Sequence, residues 1–283
     1  MLSENCTGCG ACVDCCPHGA IKMVADNEGF RYPKIDKSLC ISCGLCKKTC
    51  PEINAQNNER SKKYFAAKSV NEETQINSAS GGVFPVLAAE ILKQGGVVWG
   101  ASFDSDFNVV HCCALECDDL ASLRRSKYVQ SNLETVYKSI KAQLESGLTV
   151  LFCGTPCQTT ALSHFIPEKY KGNLILMEII CHGVPSPSIW QDFLKMLSDS
   201  HQEKIENIRT ICFKYKDNDK YKWTHPGFYI QWKSGKEYLD YSNASWYENG
   251  FLGNLYVRPS CHKCPMKPYR SIADISLGDF LGL

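Results

Sequence analysis

Eight cysteines near the start of the chain fall into two runs of one spacing. Cys6-x2-Cys9-x2-Cys12-x3-Cys16-Pro17 recurs as Cys40-x2-Cys43-x2-Cys46-x3-Cys50-Pro51. Thiolates are soft ligands that select metals such as zinc and the iron of iron–sulfur clusters. Three on one tight loop can cover three corners of a metal–sulfur cube, and the fourth corner must be filled from elsewhere. The spacing is that of paired 4Fe–4S clusters, in which the fourth cysteine of each run serves the other cluster. Cluster one is therefore assigned to Cys6, Cys9, Cys12 and Cys50, and cluster two to Cys40, Cys43, Cys46 and Cys16. Zinc knuckles are the bland alternative, but they use CxxC pairs and need no triple-plus-one spacing. Cys15 is surplus beside Cys16 and reads as a bystander.

A second group of cysteines lies on strand–turn–helix units. Leu148–Phe152 and Leu174–Ile180 are apolar runs, each ending in a turn with a cysteine: Cys153-Gly-Thr-Pro-Cys157-Gln158 and Cys181-His-Gly-Val. Thr155, Pro156 and Gln158 suit a capping box with proline at the first helical position. Ser186-Pro187 starts the next helix, through Leu197. The same grammar twice predicts parallel strands with right-handed crossovers, and ligands in such sheets sit at the carboxyl ends of the strands. Cys157 and Cys181 then face one crevice. Cys261 and Cys264, in Arg258-Pro-Ser-Cys-His-Lys-Cys-Pro265, are two ligands in search of two more. The four together make a four-thiolate site for a third 4Fe–4S cluster, with Cys153 as the reserve ligand. Structural zinc and a Cys261/Cys264 redox dithiol are the alternatives.

Two turns suit an anion. Ser78-Ala-Ser-Gly-Gly82 opens a helix over Val83–Lys93, and small residues at a helix start leave backbone N–H groups free for a phosphate. Lys127, in Ser126-Lys-Tyr128, suits an anionic group, although an exposed lysine is the default. No GxGxxG and no GxxxxGK[ST] occurs, so the common dinucleotide and P-loop fingerprints are missing. His111, Cys112, Cys113 and Cys117 match no common metal spacing and read as buried small side chains.

The elements that must position these residues follow from pattern. Ala20–Ile35 reads as a hairpin between the two cysteine runs. Asn54–Lys63 is polar and reads as a linker, and Tyr64–Val70 as a strand. Val97–Phe103 and Val109–Leu115 are strands about an Asp-Ser-Asp turn, Leu120–Arg125 and Leu133–Leu144 helices. Ile205–Tyr241 is β-rich with a hairpin turn at Ser234-Gly235, Ser245–Asn254 a short helix, and Ala273–Leu277 a last strand. The chain of 283 residues carries 18 cysteines and a net charge of +1. That balance gives no reason to expect nucleic acid or an anionic membrane. No apolar run reaches a membrane span. The first residues have no basic or apolar signal region, so a reducing cytoplasm is expected and the cysteines read as metal ligands rather than disulfides.

Gly81-Gly82, Ser126-Lys-Tyr128, Gly154-Thr-Pro-Cys-Gln158, Cys181-His-Gly183, Arg258-Pro-Ser-Cys261-x2-Cys264 and Ala273-Asp-Ile-Ser-Leu-Gly-Asp279 together resemble the β subunit of coenzyme F420 hydrogenases and dehydrogenases. The first 56 residues resemble the ferredoxin module that many members carry. The resemblance implies a domain that binds FAD and one further 4Fe–4S cluster, and that passes a hydride between a deazaflavin and the flavin. It places Ser80, Gly81, Gly82, Ser126, Lys127, Tyr128, Gly154 and Thr155 near the flavin. Leu281 stands where many relatives have tryptophan, and the chain stops at Leu283 where relatives with this fusion often continue.

The expected architecture is an α+β ferredoxin-like two-cluster domain over residues 1–56, a linker over 57–63, and an α/β domain with a β-rich insertion over 64–283. The expected function is an iron–sulfur flavoprotein oxidoreductase. It would join a small-molecule hydride donor or acceptor, coenzyme F420 or another reduced cofactor, to a redox protein partner or partner subunit. The alternatives are an electron-transfer subunit without a small substrate of its own, and a cluster-bearing scaffold or sensor. A flavin holds two electrons and releases them singly, so it stands between a hydride donor and the clusters. On this reading, deleting residues 1–56 preserves flavin reduction and abolishes transfer to a protein partner.

Overall fold

The computed structural model describes residues 4–55, 63–216, 227–240, 245–266 and 272–279. Among them the chain runs α1 (Ala11–Asp14), β1 (Ile21–Ala25), β2 (Arg31–Ile35), α2 (Leu45–Thr49), α3 (Glu72–Ile76), α4 (Val83–Lys93), β3 (Val97–Phe103) and β4 (Val109–Ala114). It continues α5 (Leu120–Leu123), α6 (Val136–Glu145), β5 (Val150–Gly154), α7 (Pro156–Phe165), β6 (Leu174–Ile179) and α8 (Pro187–Ser200). The last elements are β7 (Ile208–Tyr215), β8 (Gly227–Trp232), β9 (Glu237–Asp240), α9 (Trp246–Leu252), α10 (Pro259–His262) and β10 (Ile275–Leu277).

The central sheet has the order β10-β6-β5-β3-β4. β10, β6, β5 and β3 are parallel, and β4 pairs antiparallel at one edge. Val150 opposes Leu174 and Gly154 opposes Glu178, so the turns after β5 and β6 leave the sheet side by side. Both strands are apolar runs because parallel strands are covered on both faces. One face packs Val97, Trp99, Tyr137, Ile140, Phe152 and Leu162. The other packs Ala88, Leu92, Val98, Leu120, Leu151 and Met177. α7 begins with the expected capping box, Pro156 in its first turn. Ser186 caps α8 by accepting from Ile189 N–H at 3.1 Å.

Between β6 and β10 the chain adds an antiparallel sheet, β7-β8-β9. Its apolar face joins α8 and α9 in an aromatic core around Trp190, Phe193, Phe213, Phe228 and Tyr247. Trp190 satisfies its indole N–H on the Phe107 carbonyl at 2.8 Å, as a buried tryptophan must.

The N-terminal block shows its internal repeat in geometry. Gly10 and Gly44 both sit at φ 79° and open α1 and α2, a left-handed start that glycine adopts without strain. This block shares a core with the central sheet: Cys9 and Ala11 pack with Tyr137, Ile140 and Phe152. Asp14 accepts from the N–H groups of Tyr137 and Lys138 at 3.0 and 3.3 Å and so caps α6.

One expected strand does not form. Residues 64–70 are irregular, and Tyr64, Phe65 and Val70 are exposed. Ser69 N–H donates to the Gly81 carbonyl at 2.7 Å, but among the described residues no strand pairs with this segment. β-propensity without a neighbouring strand leaves the backbone unpaired. Most of the expected linker, 57–62, and Leu281 lie outside the described residues.

Candidate functional site

The cysteine loop after Glu4 folds over a cavity of about 50 Å3 lined by Cys6, Cys9, Cys12, Cys46 and Cys50. Four of these are the residues assigned to cluster one. Burial pushes the Cys12 thiol up to about 12, and the charges of Cys6, Cys15, Cys50 and Cys46 add to it. Burial likewise raises Cys9 well above the ordinary thiol range, with Cys12 and Cys157 contributing. Crowded, dry thiols cannot all ionise by themselves. A metal deprotonates its thiol ligands outright, so this donor set fits an iron–sulfur cube. Cys40 and Cys43 are exposed, while Cys46 and Cys16 are half-buried. Cys15 lies close enough to Cys46 and Cys16 for their charges to raise it, and burial is the larger cause.

A second gathering forms at the carboxyl ends of β5 and β6. Cys157 sits in the first turn of α7, where Thr155 Oγ1 is 3.1 Å from its Sγ. Burial pushes Cys157 up to about 12, and the charges of Cys264 and Cys261 push the same way. The Cys181 thiol reaches the Gly183 carbonyl at 3.8 Å. A Cβ on Gly183 would stand 3.4 Å from Cys261 Cβ, so the Cys181 turn lies against α10. The structure thus brings the turns of Cys157, Cys181, Cys261 and Cys264 to one place. Cys153, the reserve ligand, faces elsewhere: burial holds its thiol at about 12, and its charged neighbour is Lys127. Among the described residues no three His, Cys, Asp or Glu side chains converge as closely as one ion requires. A four-iron cube holds its thiolates farther apart than a single ion does.

The two gatherings touch. The Thr7 hydroxyl, in the cluster-one loop, hydrogen-bonds the Cys157 thiol. Arg258, three residues before Cys261, is fully buried. Its Nε donates to the Cys6 carbonyl at 2.6 Å, Nη1 to Gln130 Oε1 at 2.9 Å and Nη2 to the Arg31 carbonyl at 2.9 Å. The guanidinium also lies 4.2 Å from the Tyr32 ring centre.

On the other side of the β5 turn lies a cationic nest. Lys127 Nζ donates to the Arg124 carbonyl at 2.7 Å. Burial pulls its pKa down to about 7, against the charges of Cys212 and Cys153, and Arg125 pulls the same way as burial. Lys216, just beyond β7, donates to the Gln75 and Ser80 carbonyls at 2.8 and 2.6 Å. Burial lowers it to about 8, assisted by Arg125. Lys214 pairs with Asp279, so the segment after β10 closes over the same place. Among the described residues, Arg124 Nε and Arg125 Nη1 are buried without a hydrogen-bond partner. Buried donors at cationic groups call for an anion.

The expected turns meet this nest unequally. Gly82, at φ 79°, opens α4 with no side-chain cap, which leaves first-turn N–H groups for a ligand. A Cβ on Gly81 would stand 3.0 Å from the Ala67 carbonyl, and one on Gly154 2.8 Å from Gln158 Oε1 and Phe152. Both glycines therefore have packing reasons of their own. Thr155 N–H is already spent on Gln158 Oε1 at 2.8 Å. Tyr128 packs edge-on to Phe213 at 5.2 Å, beside Ser126 and Lys127. A cavity of about 320 Å3 lies instead between the cysteine block and the sheet, lined by Gly10, Arg31, Asn108, Gln130 and Trp190. None of the three turns lines it. His111 is buried, its ring nitrogens 2.7 Å from Ser131 Oγ and 3.1 Å from the Cys153 carbonyl.

Sequence reasoning missed Arg124, Arg125, Lys214 and Lys216. The alternation Lys214-Tyr-Lys216 at a strand end was a signal; the two arginines stood at the end of the expected helix Leu120–Arg125.

Cysteine loops of this spacing on a mixed α/β frame define an iron–sulfur protein with a ferredoxin module. Residues 5–54 match the 4Fe–4S dicluster domain, and residues 147–282 match the C-terminal region of the coenzyme F420 hydrogenase/dehydrogenase beta subunit. The chain thus carries a region matching the C terminus of the coenzyme F420 hydrogenase/dehydrogenase beta subunit behind a 4Fe–4S ferredoxin module. It is 25% identical over 295 residues to the F subunit of the F(420)H(2) dehydrogenase of Methanosarcina mazei, covering 97% of this chain and 75% of that one. It is 24% identical over 220 residues to the coenzyme F420-dependent sulfite reductase of Methanocaldococcus jannaschii, covering 75% of this chain. The chain spans about 33% of that reductase's length. Its fold resembles a chain of the F420-reducing [NiFe] hydrogenase complex from Methanosarcina barkeri, with TM-score 0.51 and 18% identity, covering 75% of this chain and 68% of that one.

Proposed function

We propose that the protein is an iron–sulfur flavoprotein oxidoreductase. It would exchange a hydride with a soluble carrier, coenzyme F420 or another reduced cofactor, and single electrons with a redox protein partner. The observation that carries this reading is the contact between two cysteine sites at the carboxyl end of a parallel sheet, beside a buried cationic nest. Cys6, Cys9, Cys12 and Cys50 would hold cluster one, and Cys40, Cys43, Cys46 and Cys16 cluster two. Cys157, Cys181, Cys261 and Cys264 would hold a third 4Fe–4S cluster. Bound FAD would supply the conversion between two-electron and one-electron transfer.

The chain's own residues do the positioning. Arg124, Arg125, Lys127 and Lys216 offer buried positive charge to a diphosphate, with Ser80, Gly81 and Gly82 opening α4 beside them. Ser126, Tyr128, Gly154 and Thr155 border the same place. α7 then carries the path away from that place, because Cys157 follows Thr155 within one turn. The relatives named for coenzyme F420 make that deazaflavin the first carrier to test.

The packing reasons found for Gly81 and Gly154 favour one other reading, an electron-transfer subunit with clusters and no flavin. Anaerobic purification separates the two. About twelve irons, about twelve acid-labile sulfides and extractable FAD per chain are expected, from three cubes. Eight irons plus one zinc would make the third site structural zinc, and full iron without flavin would favour the subunit reading. Cys157→Ser, Cys181→Ser or Cys264→Ser is expected to remove about four irons and leave the ferredoxin pair. Cys153→Ser is expected to remove none; the reverse pattern would move the ligand by one turn.

A further inference from the structure

Tyr137 stands where the two cysteine sites meet. It is fully buried, and its hydroxyl has no hydrogen-bond partner among the described residues. Asp14 holds its backbone N–H at 3.0 Å. Its ring is fixed between Phe152 and Phe165, with centres 6.4 and 5.9 Å away. Cys9 packs in the same core. After burial, the strongest charges acting on the hydroxyl are the thiols of Cys9 and Cys157, then Asp14 and Cys12. A buried O–H left without a partner beside Cys9 and Cys157 is suited to a sulfur acceptor.

We propose that Tyr137 is the positioning residue of an electron junction: its hydroxyl donates to a sulfur at the Cys9 loop, and single electrons cross between the Cys157 and Cys9 sites there. Cluster one is then the inlet of the ferredoxin pair, and cluster two, with exposed Cys40 and Cys43, is its outlet towards the partner. The inference rests on the three-cluster reading above. Each crossing oxidises the Cys157 site by one electron and reduces the Cys9 site by one, with no proton or further reactant. A donated hydrogen bond favours the more negative, reduced cluster and raises its potential. Arg258 acts in the same direction. Among the described residues its buried charge meets neutral acceptors, two carbonyls and a side-chain amide, and a buried cation so placed favours a neighbouring anion.

The test is a redox titration of the full, anaerobically loaded protein followed by electron paramagnetic resonance. The cluster-two signal is identified as the one lost in Cys43→Ser. In Tyr137→Phe, iron is expected to stay at the wild-type level. The reduction equilibrium of cluster one should shift about tenfold towards the oxidised form, about 59 mV for one electron, and cluster two should hold. An unchanged cluster-one potential overturns the role of Tyr137. If the variant loses iron, the fully reduced wild type decides. A magnetic interaction between the third cluster and cluster one, removed by Cys157→Ser and kept in Cys43→Ser, supports the junction. An interaction with cluster two instead overturns it. Fewer than twelve irons in the wild type would sink the three-cluster reading, an outcome distinct from a silent Tyr137→Phe.

Discussion

At the scale of single residues, the informative feature is a lysine whose pKa burial pulls down towards neutral pH. Lys127 is held at about 7, mainly by desolvation and then Arg125, against the charges of Cys212, Cys153 and Cys112. Lys216 is held at about 8 by burial, Arg125 and Lys214, with Asp279 opposing. Between these values and the ordinary lysine range near 10.5, both groups lose their charge in the free protein. An anion restores it, so binding takes up a proton wherever pH exceeds these values. FAD affinity is therefore expected to fall as pH rises from about 7 to about 9. Calorimetry in buffers of different ionisation enthalpy should show proton uptake, and Lys127→Met should reduce it. Affinity that is flat over this range would place the cofactor's phosphates elsewhere.

At the scale of elements, the cluster-one loop and the segment before α10 are fitted to each other. Gly8 sits at φ +70°, and a Cβ there would stand 2.4 Å from Gln130 Nε2 and 2.7 Å from Arg258 Nη1. Gly8→Ala is expected to cost about 1–3 kcal/mol, a Tm lower by roughly 5 °C; an unchanged Tm would mean that Arg258 moves aside freely. What could be read from sequence follows the same division between local and distant causes. The bounds of β3, the cap of α8 and the box at Thr155 and Gln158 were legible, because short-range periodicity and capping set them. Cys157, Cys261 and Cys264 were legible as a group only through residue type and strand-end position. Residues 64–70 were misread because β-propensity cannot report a missing neighbour. Arg124, Arg125 and Tyr137 were not legible as site residues at all. Their burial depends on elements more than 40 residues away, as the Arg125 bond to the Ile76 carbonyl shows.

At the scale of the whole molecule, the ferredoxin module is built into the larger core. Deleting residues 1–56 takes Cys9 and Ala11 from that core, the Asp14 cap from α6 and two of three acceptors from Arg258. Removing the partners of a buried charge costs about 3–5 kcal/mol. The truncated chain is expected to melt lower and to bind an apolar dye, so it tests packing rather than the order of electron flow. A truncation with wild-type Tm would show the core to be complete without the module. The Arg258 strut joins positions 252 residues apart, and this sets a timetable for biosynthesis. The Cys6 loop leaves the ribosome 252 residues before Arg258. Until then the loop lacks its seal, and its thiols stay open to oxygen and stray metal. Closure of the Cys6 loop thus waits until Arg258 has been made, whereas Cys40 and Cys43 lie at the surface.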